Sequence, residues 1–214
     1  MKYLLISLVF LSFLIINSSY AQVNLYALGG VNMSNVKNYD QGPESVNGIE
    51  NSGDLKLGWH IGGGAAISLS NKLSFNPELQ FSSKGFREDA EPSGKLTISL
   101  IYLNTPLLIH YQLIDRFSVI LGPELGIKLA SRVRTNGFGS SANEFYDNLF
   151  DLGFTVGAAY KINEQMNLSL RFTHGFATVI KDLYYTDTGS GFEQIKFFNQ
   201  NLQLSLSYDI FNRK

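Results

Sequence analysis

Beyond residue 22 the chain alternates apolar and polar residues for most of its length, the period-two signature of β-strands with one apolar face. The clearest case is Leu73–Lys84, where Leu73, Phe75, Pro77, Leu79 and Phe81 interleave with Ser74, Asn76, Glu78, Gln80 and Ser82. The same pattern runs through Val23–Met33, Leu55–Leu69, Phe117–Ala130, Phe150–Ile162, Met166–Phe176 and about Phe198–Ile210. Leu96–Leu113 is longer and less regular, and a bulge near Tyr102 reconciles its two halves. No stretch in this region sustains a helical period, so the expectation is an all-β chain of eight strands.

The connections sharpen that expectation. Ser70-Asn71-Lys72, Ile114-Asp115-Arg116 and Asn163-Glu164-Gln165 are very short, whereas 34–54, 85–95, 131–149 and 177–197 are long and polar. Short and long alternate strictly. This predicts an eight-stranded antiparallel up-and-down transmembrane β-barrel with tight turns at the periplasmic end and long loops outside. A soluble lipocalin-like binding barrel shares the strand number but turns its apolar face inward. Two features weigh against it. The polar face is small, with Gly62, Gly64, Ser68, Ser82, Gly122, Gly126, Gly153, Gly157, Ser169 and Ser205, as a narrow lumen requires. The apolar face carries aromatics near its ends: Phe75, Tyr111, Phe117, Tyr160 and Tyr208 toward the short turns, and Trp59, Phe81, Phe150 and Phe172 toward the long loops. Such residues form the interfacial girdles of membrane barrels.

Composition agrees. Only 16% of residues are charged, against about 25% in soluble domains, and a lipid-facing surface accounts for the shortfall. Lys2, the apolar run Leu4–Ile16 and Ser19-Tyr20-Ala21 read as a secretory signal peptide, giving a leader over 1–21 and a barrel domain over 22–214. The chain has no cysteine, so disulfides and thiolate metal sites are excluded. No calcium-loop spacing occurs, and no cofactor is expected. With a net charge of -1 and no basic block, nucleic acid is not an expected partner.

The phrases Gly29-Gly30-Val31-Asn32, LSFNPELQFSSKG, YLNTPLLIHY, FSVILGPELGIKL, DLGFTVGAAYKI and NLSLRFTHGF, in this order across the chain, resemble the PorT-like outer-membrane β-barrel family of Bacteroidetes. The resemblance implies an eight-stranded barrel in the cell outer membrane. Most members have no assigned function, and the founding member is associated with type IX secretion and gliding, a role that does not transfer to every relative. The end of the chain departs from the habit of outer-membrane barrels to finish on an aromatic, since Asn212-Arg213-Lys214 follow Phe211.

Parity places Lys56, Glu78, Glu124, Lys128, Asp151, Lys161, Arg171 and Asp209 on the lumen face. Both signs occur in similar number, so the expectation is a neutralised structural network, with Arg171 bridging Glu124, Glu78 or both. The repeated phrases FNPELQF and LGPELGI put Glu78 and Glu124 inside and Pro77 and Pro123 on the lipid side, with Pro106 between them on the fourth strand. Bulges or loosened pairing are expected there. His60 and His110 fall on lumen faces and His174 on the apolar face, with no nucleophile–His–acid spacing in evidence. A lumen filled by side chains also argues against a conducting pore. The reading is therefore a monomeric, non-catalytic barrel with a structural or interaction role. Its expected partners are outer-membrane lipid and, through the long loops, envelope or secretion-system proteins. The alternative is a membrane-embedded lipid-modifying enzyme of the lipid A deacylase kind.

Overall fold

The computed structural model describes residues 22–38, 45–46, 49–50, 54–90, 94–135, 138–141, 148–179, 184–187, 191–194 and 196–212. The expected leader over 1–21 lies outside them. Eight long antiparallel strands form the barrel: β1 (Val23–Asn38), β2 (Asp54–Ser68), β3 (Leu73–Ala90), β4 (Gly94–Ile114), β5 (Phe117–Thr135), β6 (Phe150–Lys161), β7 (Met166–Thr178) and β8 (Phe197–Asn212). Each pairs with its sequence neighbours, and β1 pairs with β8, so the sheet closes on itself and has no edge. Short two- and four-residue strands decorate the long-loop end, and Phe138–Ser141 extends the sheet beside β5.

The registry fixes the barrel's geometry. One hydrogen-bonded row runs from Leu57 through Met33, Leu202, Phe172, Val156, Leu121, Ile109 and Phe75, and returns to β2 at Ile67. Start and return lie ten residues apart, from 57 to 67. With a rise of about 3.3 Å and a spacing of about 4.8 Å, that stagger tilts the strands by about 40°. Every residue on this row is apolar, because the pleat keeps one row on one side of the wall. A row three residues nearer the short turns, His60–Gly30–Ser205–Ser169–Ala159–Ser118, is small or polar and faces inward.

The apolar side is the outer side. Leu57, Trp59, Ile61, Leu79, Leu125, Leu152, Leu170 and Leu204 are each 44–66% exposed, and many other large apolar residues join them. A belt of this size in water is an aggregation surface, and in lipid it costs nothing. On β8 the outward positions run from Phe198 to Tyr208, which at this tilt spans about 25 Å along the axis, the height of the apolar band of a membrane barrel. Phe75, Tyr111, Phe117, Tyr160 and Tyr208 gather within one level near the short turns, as expected. The upper group differs. Phe81 and Phe172 sit at mid-strand, and Phe150, Phe176 and Phe198 hold the higher positions.

Two other expectations are corrected. The strands continue well past the apolar band on the long-loop side: β3, β4 and β5 have 18, 21 and 19 residues, so the loops are shorter than the polar sequence suggests. The bulge at the level of Tyr102 belongs to β5. Ile101 pairs with Ala130 and Tyr102 with Lys128, leaving Leu129 as the extra residue. β4 keeps a single parity, and Ile98, Leu100 and Tyr102 point inward with Asn104, Pro106 and Leu108.

Candidate functional site

The lumen is layered. At the short-turn end lies an open polar vestibule of about 220 Å³, lined in part by His110, Arg116, Lys161, Asn167, Arg171 and Asp209. At mid-height comes a band of charge. At the long-loop end Val36, Phe86, Ile98, Leu100, Tyr102, Val179 and Phe197 pack as a buried apolar plug, with Leu96 and Val133 against it.

The charge band has two cross-lumen centres. In the lower one, Arg171 on β7 forms a bidentate pair with Glu78 on β3, Nη1 to Oε2 at 2.6 Å and Nη2 to Oε1 at 2.9 Å. Tyr26 of β1 donates to Glu78 Oε1 at 2.7 Å, and Gln80 donates to Oε2 at 2.5 Å. A buried carboxylate is tolerated only when its lone pairs are occupied in this way. The Tyr26 ring can lie across the wall because its ladder neighbour is Gly64, where a Cβ would come within 2.6 Å of the phenolic oxygen.

In the upper centre, Lys84 of β3 donates to Glu124 Oε1 of β5 at 2.8 Å and lies 3.9 Å from Asp151 Oδ2 of β6. Asn199 of β8 donates to the same Asp151 oxygen at 2.8 Å. Thr155 and Thr173, 2.8 Å apart, stand 3.5 and 3.4 Å from Glu124 Oε2. The ammonium of Lys84 also sits 5.3 Å from the Tyr102 ring centroid, joining this centre to the apolar plug above it. Together the two centres tie β3 to β5, β6, β7 and β8 across the barrel.

Of the eight charges expected on the lumen face, Glu78, Glu124, Asp151 and Arg171 are brought together as ion pairs. Arg171 takes Glu78 only, and Lys84 takes Glu124. Lys84 was absent from the expected set although it continues the inward parity of Ser74 to Ser82; a count carried one step further finds it. Lys56 is buried but donates to Ser83 Oγ and the Lys84 carbonyl, each at 3.3 Å, where the β2–β3 register shifts. Lys128 is buried on the lumen side. Lys161 and Asp209 line the vestibule, and Lys161 pairs at 2.9 Å with exposed Glu164 of the adjoining turn.

One arrangement had no sequence signal. His60 on β2 is linked through Nδ1 to Asn32 Oδ1 on β1 and through Nε2 to Ser205 Oγ on β8, both at 2.7 Å. The three residues are far apart in the chain and meet because β1 and β8 close the barrel. Asn32 in turn donates to the backbone carbonyls of Trp59 and Ser83. The order serine, histidine, asparagine resembles a hydrolytic triad, but all three are 0–2% exposed. A Cβ at neighbouring Gly30 would already fall 2.8 Å from the His60 ring, so an ester has no room to approach. The chain of bonds instead pins the closing seam. Among the described residues no group of three or more His, Cys, Asp or Glu is placed to hold a metal ion.

A closed eight-stranded wall, apolar outside and with an internally paired charge band, defines a transmembrane β-barrel of the outer-membrane type. The chain belongs to the outer membrane protein beta-barrel domain family, whose model matches residues 17–181. Solved structures with similar folds include Neisserial surface protein A, at 12% identity and a TM-score of 0.49 over 87% of this chain and 97% of that one. Ail of Yersinia pestis aligns at 11% identity and a TM-score of 0.44 over 86% and 97%. OprG of Pseudomonas aeruginosa aligns at 14% identity and a TM-score of 0.39 over 90% and 98%. No curated protein matches the sequence.

Proposed function

We propose that this outer-membrane barrel is a closed, non-catalytic wall element that works through its surfaces, with an accessory role in protein secretion as its specific form. The observation that carries this reading is the filled lumen: ion pairs at mid-height and the plug of Phe86, Ile98, Leu100, Tyr102 and Phe197 above them leave the vestibule blind. A barrel of this kind offers partners its long-loop end and its lipid face. In this reading residues 1–21 are removed on export, and the resemblance to the PorT-like family supplies the link to secretion. Reconstitution in a planar bilayer tests the closed lumen: the expected trace is flat, and stepwise conductance from the folded protein overturns it. Crosslinking in cells followed by capture tests the accessory role, which requires secretion components in the captured set; their absence refutes it.

The opposing reading is a lipid-modifying enzyme, and the enclosed Ser205–His60–Asn32 chain weighs against it. Lipid A from a deletion strain distinguishes the two. An unchanged mass spectrum supports the non-catalytic barrel, and a shift by one acyl chain supports the enzyme.

A further inference from the structure

On the outside of β3, β4 and β5 the chemistry changes abruptly toward the long loops. The row Phe81–Leu103–Ile127 is wholly apolar. Two rows of this face further up, Gly85–Ser99–Arg132 brings the first charge, and the next is Arg87–Thr97–Arg134. All three arginines are exposed. Their neighbours Phe86 and Ser131 are buried against the lumen, so the pleat turns the arginines outward, directly above the lipid-facing belt.

Height brings two of them together. Because the rows are inclined by about 40°, Arg134 stands about 6 Å above Arg87, and Arg132, two residues back along β5, returns to about the level of Arg87. Across two strand spacings their Cα atoms are about 12 Å apart, within reach of two converging arginine side chains. No ion pair engages any of the three among the described residues, and Asp54, the ladder partner of Arg87, forms none with it. The residues between the arginines are Thr97 and Ser99, which add only small hydroxyl groups. Fork-shaped donors above an apolar wall, none of them held in an ion pair among the described residues, match a phosphate carried on acyl chains.

We propose that Arg87, Arg132 and Arg134 bind the phosphate groups of an outer-leaflet lipid, whose chains lie along Phe81, Leu103, Ile127 and Leu129. The occupant is a lipid and not a free anion, because the arginines rim the belt. This goes beyond the wall-element reading and stands whether or not the barrel has secretion partners.

Native mass spectrometry of the refolded full barrel, titrated with bisphosphorylated lipid A, tests the site. The wild type is expected to retain one lipid. The variant Arg87→Gln/Arg132→Gln/Arg134→Gln is expected to bind at least tenfold more weakly, with the lysine triple variant in between. For the wild type, lipid A stripped of its phosphates should bind as weakly as bisphosphorylated lipid A binds to the glutamine variant, and millimolar inorganic phosphate should not displace the lipid. Equal binding by wild type and glutamine variant overturns the proposal, as does equal retention of the dephosphorylated lipid. Displacement by inorganic phosphate overturns the assignment to lipid. The last two measurements use wild-type protein and hold even if a variant fails to fold.

Discussion

The bidentate pair at the centre of the lumen gives the sharpest test of the structure. Arg171→Met keeps most of the side-chain volume and removes the charge. Glu78 then stays in a position 2% exposed, with Tyr26 and Gln80 as its remaining donors. Breaking a buried pair from one side costs about 3–5 kcal/mol, since the orphaned charge keeps its desolvation penalty. Urea unfolding of the barrel in lipid vesicles, followed by its heat-modifiable gel shift, reads this out. With a slope of about 2 kcal/mol/M the midpoint falls by about 2 M. Lys161→Met is the control. Its pair with Glu164 joins side chains that are 39% and 90% exposed, and such pairs contribute about 0–1 kcal/mol, so its midpoint moves by less than about 0.5 M. Restoring neutrality with Glu78→Leu in the Arg171→Met background should recover most of the loss, because a buried ion pair and a well-packed apolar pair are nearly equivalent in stability. An Arg171→Met midpoint equal to that of the wild type, or a Lys161→Met loss of the same size, refutes the assignment of Arg171 as the mid-lumen counter-charge.

Lys84→Met should destabilise by a similar amount, about 3 kcal/mol, because it strands both Glu124 and Asp151; a midpoint unchanged in the same urea assay contradicts this. Leu204→Arg places a charge on the outer face in the row Val31–Leu204–Leu170, where an arginine near the membrane midplane costs about 2–4 kcal/mol; folding yield into vesicles should drop, and normal insertion would invert the face assignment. Gly85→Ala should lower the unfolding midpoint, since Gly85 has φ of +135° and a Cβ there would strike the Ile98 carbonyl oxygen; a midpoint at or above the wild-type value counts against the kink at that position.

The fold was legible because a membrane barrel writes itself into the chain residue by residue. Outward positions must be apolar and inward ones small or paired, so parity alone assigned Leu57, Leu121 and Leu204 to lipid and Gly122, Ser169 and Ser205 to the lumen. Parity failed where the inside is not polar. Ile98, Leu100 and Tyr102 look like a change of face because they are apolar, yet they hold the inward register of Asn104 and close the plug with Phe197 from the far end of the chain. Period-two alternation records which side of the wall a residue takes and is silent on what waits across the lumen. The same silence hid the Asn32–His60–Ser205 chain, whose partners meet only through the closure of β1 on β8. It also left the partner of each charge open: Glu124 and Arg171 are both buried, but strand tilt and side-chain reach, which no spacing encodes, give Glu124 to Lys84.

The two Pro-Glu-Leu phrases gain a joint explanation from the registry. Asn76 pairs with Leu108 and Gln80 with Asn104, which sets Glu78 opposite Pro106; Pro106 pairs in turn with Glu124. One inward row therefore reads Glu78–Pro106–Glu124, and the row beside it on the outer face reads Pro77–Leu107–Pro123. Pro106 is buried on the lumen side between the two carboxylates, while Pro77 and Pro123 face outward. Pairing is interrupted near each proline in a different ladder: at Asn76 and Pro77 between β2 and β3, at Glu78 and Leu79 between β3 and β4, and at Leu107 and Leu108 between β4 and β5. The register is the same on both sides of each gap, so the wall is loosened there without a bulge. A proline lacks the N–H a ladder needs, and three on neighbouring strands give three successive gaps at about one level. At the last of them Gly122 lets the Leu107 carbonyl oxygen come where a Cβ would stand. The apolar ring of Pro106 also keeps a third polar group from between the glutamates, so each carboxylate meets its own cation from a different direction, Arg171 from β7 and Lys84 from further up β3. The phrase is thus repeated on the two strands that flank Pro106, and each brings its glutamate to the lumen at the level of the three gaps.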